Sequence, residues 1–209
     1  MKKTIRILLV DDHFTARLGL SVPINSEPDM EVVAEAENAA EAFTLYRQHR
    51  PDVVIMDNKL PDRSGIDAID EIRGEFPEAR VLMLTVFDGE EDIYRAVIAG
   101  AAGYLTKSAS RDEVLQALRN IAAGAKHFPP ELESKIEERR KREPLIPREV
   151  EILRHIVRGE ANKQIAASMH LSLGTINLHV SKILEKLGAP DRTRAVTLAI
   201  ERGIVRIGE

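Results

Sequence analysis

Cysteine is absent from the 209 residues, and so is tryptophan. Without thiols there is neither a disulfide framework nor a thiolate metal site, so the cytosol is the expected compartment. The missing tryptophan excludes nothing. No apolar run approaches the roughly 18 residues of a membrane-spanning helix, so no membrane association is expected. Near the start, a strand-like stretch of six residues ends in two acids, which is not the pattern of a secretory signal. Internal repeats and low-complexity tracts are missing too. What remains is a hydrophobic content of 44%, that of a globular chain, on a length suited to one large domain or two ordinary ones.

Charge divides the chain. Residues 1–128 carry 15 Lys and Arg against 22 Asp and Glu, a net of −7, whereas residues 129–209 carry 15 against 12, a net of +3. An acidic half followed by a mildly basic half suggests two domains, the second facing nucleic acid.

Three apolar runs in the acidic half end on functional groups where a strand should stop. Ile5-Arg6-Ile7-Leu8-Leu9-Val10 runs into Asp11 and Asp12, Val53-Val54-Ile55-Met56 into Asp57, and Arg80-Val81-Leu82-Met83-Leu84 into Thr85. A fourth, Gly103-Tyr104-Leu105-Thr106, reaches Lys107. Helical patterns at 14–25, 39–48, 66–75, 90–99 and 111–121 alternate with these runs and with a short strand at 31–36. Five strands and five helices in alternation predict an α/β, doubly wound parallel sheet. Pro23 is expected to kink or end the first helix early. Ser110 and Glu113 predict a capping box for the fifth.

In such a sheet, ligands gather outside the carboxyl ends of the strands. Three carboxylates, a hydroxyl and an ammonium therefore converge on one rim. A carboxylate attacks a phosphoryl group only when their mutual repulsion is relieved, and a divalent cation does this. Hard oxygen donors, no cysteine and one nearby histidine, His13, favour Mg²⁺ or Mn²⁺ over zinc. Any one of these acids alone would be ordinary surface structure; their order along four successive strand ends carries the argument.

With these residues in place, 5–124 resembles the receiver domain of two-component response regulators. The resemblance implies a flavodoxin-like fold and phosphotransfer from a sensor histidine kinase onto Asp57, with Thr85 and Lys107 assisting. It implies that Asp12, Asp57 and the backbone carbonyl of Lys59 bind the metal directly, while Asp11 acts partly through water. Thr85 and Tyr104 match the family's switch positions. The chain departs from the pattern at Asn58, usually apolar, at Pro23, and at Ser108, where many receivers have proline.

A charged stretch at 131–143, with Leu132 and Ile136 as its apolar contacts, reads as a solvated helical linker within 126–144, including the basic run at 139–142. From 145 to 209 the period is helical throughout, with helices at 147–158, 162–169, 172–187 and 191–202. A short helix, a turn at His170-Leu171 and a longer helix capped by Ser172 form a helix-turn-helix, whose second member enters the major groove. Ile176, Val180, Ile183, Leu184 and Leu187 make that helix's apolar stripe. Its other face and surroundings offer Lys163, Ser172, Thr175, Asn177, Leu178, His179, Ser181, Lys182 and Lys186 to double-stranded DNA. Leu178 suits a thymine methyl, and His179 suits either a phosphate or packing against the domain's first helix.

Pro147-Arg148-Glu149, Asn162-Lys163-Gln164-Ile165-Ala166, Thr175-Ile176-Asn177-Leu178-His179-Val180 and Ile183-Leu184-Glu185-Lys186-Leu187-Gly188 together resemble the LuxR-type DNA-binding domain. The combination is similar to the NarL/FixJ family: a regulator, not an enzyme, that forms homodimers when phosphorylated or bound to DNA. Ala195, Val196, Leu198 and Ala199 are the expected contact surface. Two other readings compete. One is a phosphorylation-independent regulator with a vestigial receiver. The other is an aspartate-nucleophile phosphatase, which needs an acid two residues after Asp57, where this chain has Lys59.

Overall fold

The computed structural model describes residues 4–86 and 89–205. Among these the chain divides into two compact units, 4–86 with 93–133 and 89–92 with 134–205. The last residues of the expected second domain, 206–209, lie outside them.

In the first unit β-branched and leucine-rich runs become strands β1 (Ile5–Val10), β2 (Met30–Ala36), β3 (Val53–Met56), β4 (Val81–Thr85) and β5 (Gly103–Thr106). All pair in parallel, in the order β2-β1-β3-β4-β5. Between them run α1 (Phe14–Asn25), α2 (Ala39–His49), α3 (Gly65–Glu75) and α4 (Glu90–Ile98), the last belonging to this unit from Ile93 onward, with α5 (Arg111–Ala122) after the last strand. The doubly wound expectation holds.

Side-chain alternation explains the layers. Ile7 and Leu9 on β1, Val53 and Ile55 on β3 and Leu82 and Leu84 on β4 share one core with Ile24 of α1 and Leu118 and Ile121 of α5. Their neighbours Leu8, Val10, Val54, Met56 and Met83 point to the other face and are equally buried, as a sheet covered on both sides requires. The Ser110–Glu113 capping box opens α5 as its spacing predicts. Pro23, however, neither ends nor shortens α1, which runs through it to Asn25. It sits in the last turn, where its missing N–H forfeits a single bond to Gly19. Burial of Ser21 and Ile24 on either side holds the turn, and Ser26 closes it by donating from N and Oγ to the Val22 carbonyl.

Beyond α5 lies α6 (Pro130–Arg140), on which Leu132 and Ile136 are buried as expected but Arg139 is buried too, instead of solvated. The second unit then packs α7 (Pro147–Val157), α8 (Asn162–Ser168), α9 (Leu173–Leu187) and α10 (Arg192–Glu201). Ile152, Leu153, Ile156, Ile165, Ile176, Ile183 and Leu187 form its core. Ser172 caps α9 by accepting from the Thr175 amide, and Gly188 ends it at φ 65°, a conformation glycine adopts without a Cβ penalty. Ala195, Leu198 and Ala199 belong to this core and not to a contact surface. Small residues at that spacing let α10 approach its neighbours closely, leaving Val196 as the partly exposed member of the set.

Candidate phosphorylation site and nucleic-acid interface

The strand ends bring the acids together. Asp11 follows β1 and Asp57 follows β3, and both are buried, whereas Asp12 and His13 are exposed. One ligand atom from each of these four residues lies within 4.8 Å of those of the others. Lys107, one residue past β5, reaches back across the rim. Its Nζ donates to Asp11 Oδ2 at 2.5 Å and to Asp57 Oδ2 at 2.8 Å. Burial works against that charge, but hydrogen bonds and proximity to the two carboxylates outweigh it and raise the Lys107 pKa. Thr85, at the end of β4, is fully buried beside the rim, and its carbonyl accepts from the Lys107 amide at 2.8 Å. Tyr104, in the middle of β5, is fully buried as well. Lys59 is exposed and forms an antiparallel bridge with Ser64 that closes the loop following Asp57.

Several residues that support this rim carry no sequence signal of their own. The His13 amide donates to Asp11 Oδ1 at 2.9 Å, and its Nδ1 lies 2.7 Å from Asp12 Oδ1. Buried Arg17 holds the Asp11 carbonyl at 2.7 Å while pairing with Glu35 and Glu37. Gly65 opens α3 against the acceptor, where an added Cβ would stand 2.0 Å from the Asp57 carbonyl oxygen. Asp62 anchors the same loop by accepting from the Ala39 and Ala40 amides at the start of α2. Asn58 is buried with its Oδ1 unpartnered.

The donor set fits a hard divalent cation. Three carboxylates converge with no thiolate, two are oriented by an amide or an ammonium, and the neighbouring Lys59 carbonyl belongs to a short loop. A donor set of a few carboxylates suits Mg²⁺, which keeps several of its waters.

On the second unit, α9 exposes Asn177, Leu178, Ser181 and Lys182 along one side, with Lys163 of α8 and Ser172 also exposed. Thr175 is half-buried, its hydroxyl 2.8 Å from that of Ser172. His179 is half-buried with Nδ1 inside and unpartnered, so it packs into the domain. Lys186 turns inward: its Nζ donates to Glu149 at 2.9 Å and to the Pro144 carbonyl at 3.1 Å, and pairs with Glu143 at 3.0 Å. Glu149 is almost fully buried. Its burial opposes ionisation, but the Lys186 ammonium and the Ile146 amide hold its pKa below the usual carboxylate value. Helical spacing puts Lys186 on the polar face, yet its long stem carries the charge to α7.

Comparison with known proteins matches both halves. Residues 7–119 fit the response regulator receiver domain and 143–199 fit the bacterial regulatory proteins of the luxR family. The response regulator protein VraR of Staphylococcus aureus is 36% identical over 208 residues, covering 97% of this chain and all of that one. The chain belongs to the LuxR-type response regulators of the NarL/FixJ family. Among solved structures, a LuxR-family two-component response regulator from an Aurantimonas species is 43% identical over 66% of this chain and 99% of its own, with a TM-score of 0.62. The response regulator ChrA of a heme-sensing two-component system is 35% identical over 97% of this chain and 99% of its own, with a TM-score of 0.57. As a member of this family, the regulator joins a receiver to a DNA-binding domain, and the acidic cluster of its receiver is of the kind that binds Mg²⁺. Among the described residues no helix is long and apolar enough to cross a membrane.

Proposed function

We propose that this response regulator accepts a phosphoryl group on Asp57 from a sensor histidine kinase and thereby controls sequence-specific binding to double-stranded DNA. The observation that carries the reading is Lys107 Nζ lying between Asp11 and Asp57, at the only rim where β1, β3, β4 and β5 among the described residues bring acids, a hydroxyl and an ammonium together. An Asp57 carboxylate oxygen attacks the phosphorus, so that the acyl-phosphate P–O bond forms as the P–N bond to the kinase's phosphohistidine breaks and the imidazole leaves. Lys107 neutralises charge on the transferring group's oxygens and the Thr85 hydroxyl donates to another. Asp12, Asp57 and the Lys59 carbonyl would hold Mg²⁺ or Mn²⁺, with Asp11 acting partly through water, and the cation would supply relief of anion–anion repulsion. Thr85 and Tyr104 form the switch.

The domain turns over no phosphoester, because Lys59 stands where a phosphatase of this kind needs its acid. The intact acidic cluster likewise favours a working receiver over a vestigial one. A single head reads few base pairs, so phosphorylated protein acts as a homodimer on two half-sites, in the cytosol.

With Mg²⁺ and a small phosphodonor, intact-mass spectrometry should show one base-labile acyl phosphate on the wild type and none on Asp57→Asn. Equal labelling of the variant would exclude Asp57 as the acceptor.

A further inference from the structure

The second unit carries a relay of three polar side chains that phosphotransfer does not use. Arg192, first residue of α10, donates from Nη1 to Asn162 Oδ1 at 2.9 Å and from Nη2 to the Glu160 carbonyl. Asn162, first residue of α8, donates from Nδ2 to Asn177 Oδ1 at 2.9 Å. A guanidinium has donors only. Asn162 must therefore give its oxygen to Arg192, which leaves its NH₂ to face Asn177 and obliges Asn177 to answer with oxygen. Turning the Asn177 amide round would set two NH₂ groups against each other. The arginine thus fixes the sense of an amide that, alone, could point either way.

Asn177 is exposed on the first half of α9, in the row with Leu178 and Ser181. With Oδ1 drawn back to Asn162, the group it presents outward is NH₂. We propose that Arg192 and Asn162 are positioning residues that make Asn177 a hydrogen-bond donor toward DNA, so that it reads acceptor edges of bases in the major groove, guanine foremost. Guanine offers O6 and N7 side by side, whereas bidentate pairing with adenine needs the amide's oxygen and NH₂ together. This differs from the usual bidentate pairing of an exposed Asn with adenine, and it rests on α9 being the reading helix.

The test is selection of duplexes from a random pool by the phosphorylated full-length protein and two variants. The wild type should select guanine at one position of each half-site, by roughly tenfold over adenine, and Asn177→Ala should relax that position alone. Asn162→Asp is decisive. A carboxylate accepts from both Arg192 and Asn177, so the link to Arg192 survives while the Asn177 amide must turn its oxygen outward. Guanine should then give way to cytosine or adenine, whose N4 and N6 amino groups donate. Circular dichroism verifies the variant's fold, and scrambled duplexes register any general electrostatic loss. Independently of any variant, 7-deazaguanine at the selected position should weaken wild-type binding, and nowhere else to the same degree.

Relaxation by Asn177→Ala with no inversion by a folded Asn162→Asp would overturn the relay while leaving α9 as the reader. Unchanged selection by Asn177→Ala, or indifference to 7-deazaguanine, would overturn the assignment of guanine to Asn177. A wild type that prefers no sequence would overturn the DNA-binding reading itself.

Discussion

Two buried carboxylates share the Lys107 ammonium, and the backbone beneath one of them is packed with no space to spare. A methyl on Gly65 would stand 2.0 Å from the Asp57 carbonyl oxygen, a contact that only backbone displacement relieves. Because reacting groups must be held within about an ångström of their productive geometry, Gly65→Ala should fold yet lose most of its phosphorylation by a small donor. Quantitative mass spectrometry beside a thermal melt checks this, and undiminished labelling would mean the acceptor tolerates the shift. The acids themselves were legible in the sequence because strand ends announce them. Gly65, Arg17 and Asp62 were not, since their roles depend on a backbone approach and on contacts across 6 to 23 residues.

At the scale of elements, helix spans and caps followed periodicity closely, whereas the direction of a long side chain did not. Lys182 is exposed, but Lys186 on the same helix bonds Glu149 of α7. Lys182→Ala should therefore reduce the slope of log affinity against log salt by roughly 0.9 per phosphate contact on each head. Lys186→Met should leave that slope unchanged and lower the melting temperature of the second unit instead. Titrations at several salt concentrations and a melt separate the two.

The same pair sets a pH dependence. Because the Glu149 pKa is depressed in the folded protein, its contribution to stability is present above the unfolded value, about 4.3, and is lost as pH falls through the folded one. The advantage of the wild type over Glu149→Gln in urea unfolding should be full at neutral pH and shrink below about pH 4.3. The apolar face of α10 is ambiguous in the sequence for a related reason. Ala195 and Ala199 fit either a subunit contact or a tight helix packing by spacing alone, and only the tertiary fold places them in the core.

At the scale of the molecule, the chain joins a receiver carrying an acidic cluster to a LuxR-type head that exposes a short row of a few side chains on α9. In the proposed function dimerisation would link them, because two heads on two half-sites multiply a modest affinity. Sedimentation of the phosphorylated full-length protein should show a shift toward dimers; an unchanged monomer at concentrations that saturate DNA would argue against it. The most direct measurement is the affinity of the full-length protein for its selected duplex, by fluorescence anisotropy at fixed salt, with and without phosphodonor, for wild type and Asp57→Asn. Phosphorylation should tighten binding of the wild type alone. Equal affinities in all four conditions would contradict this.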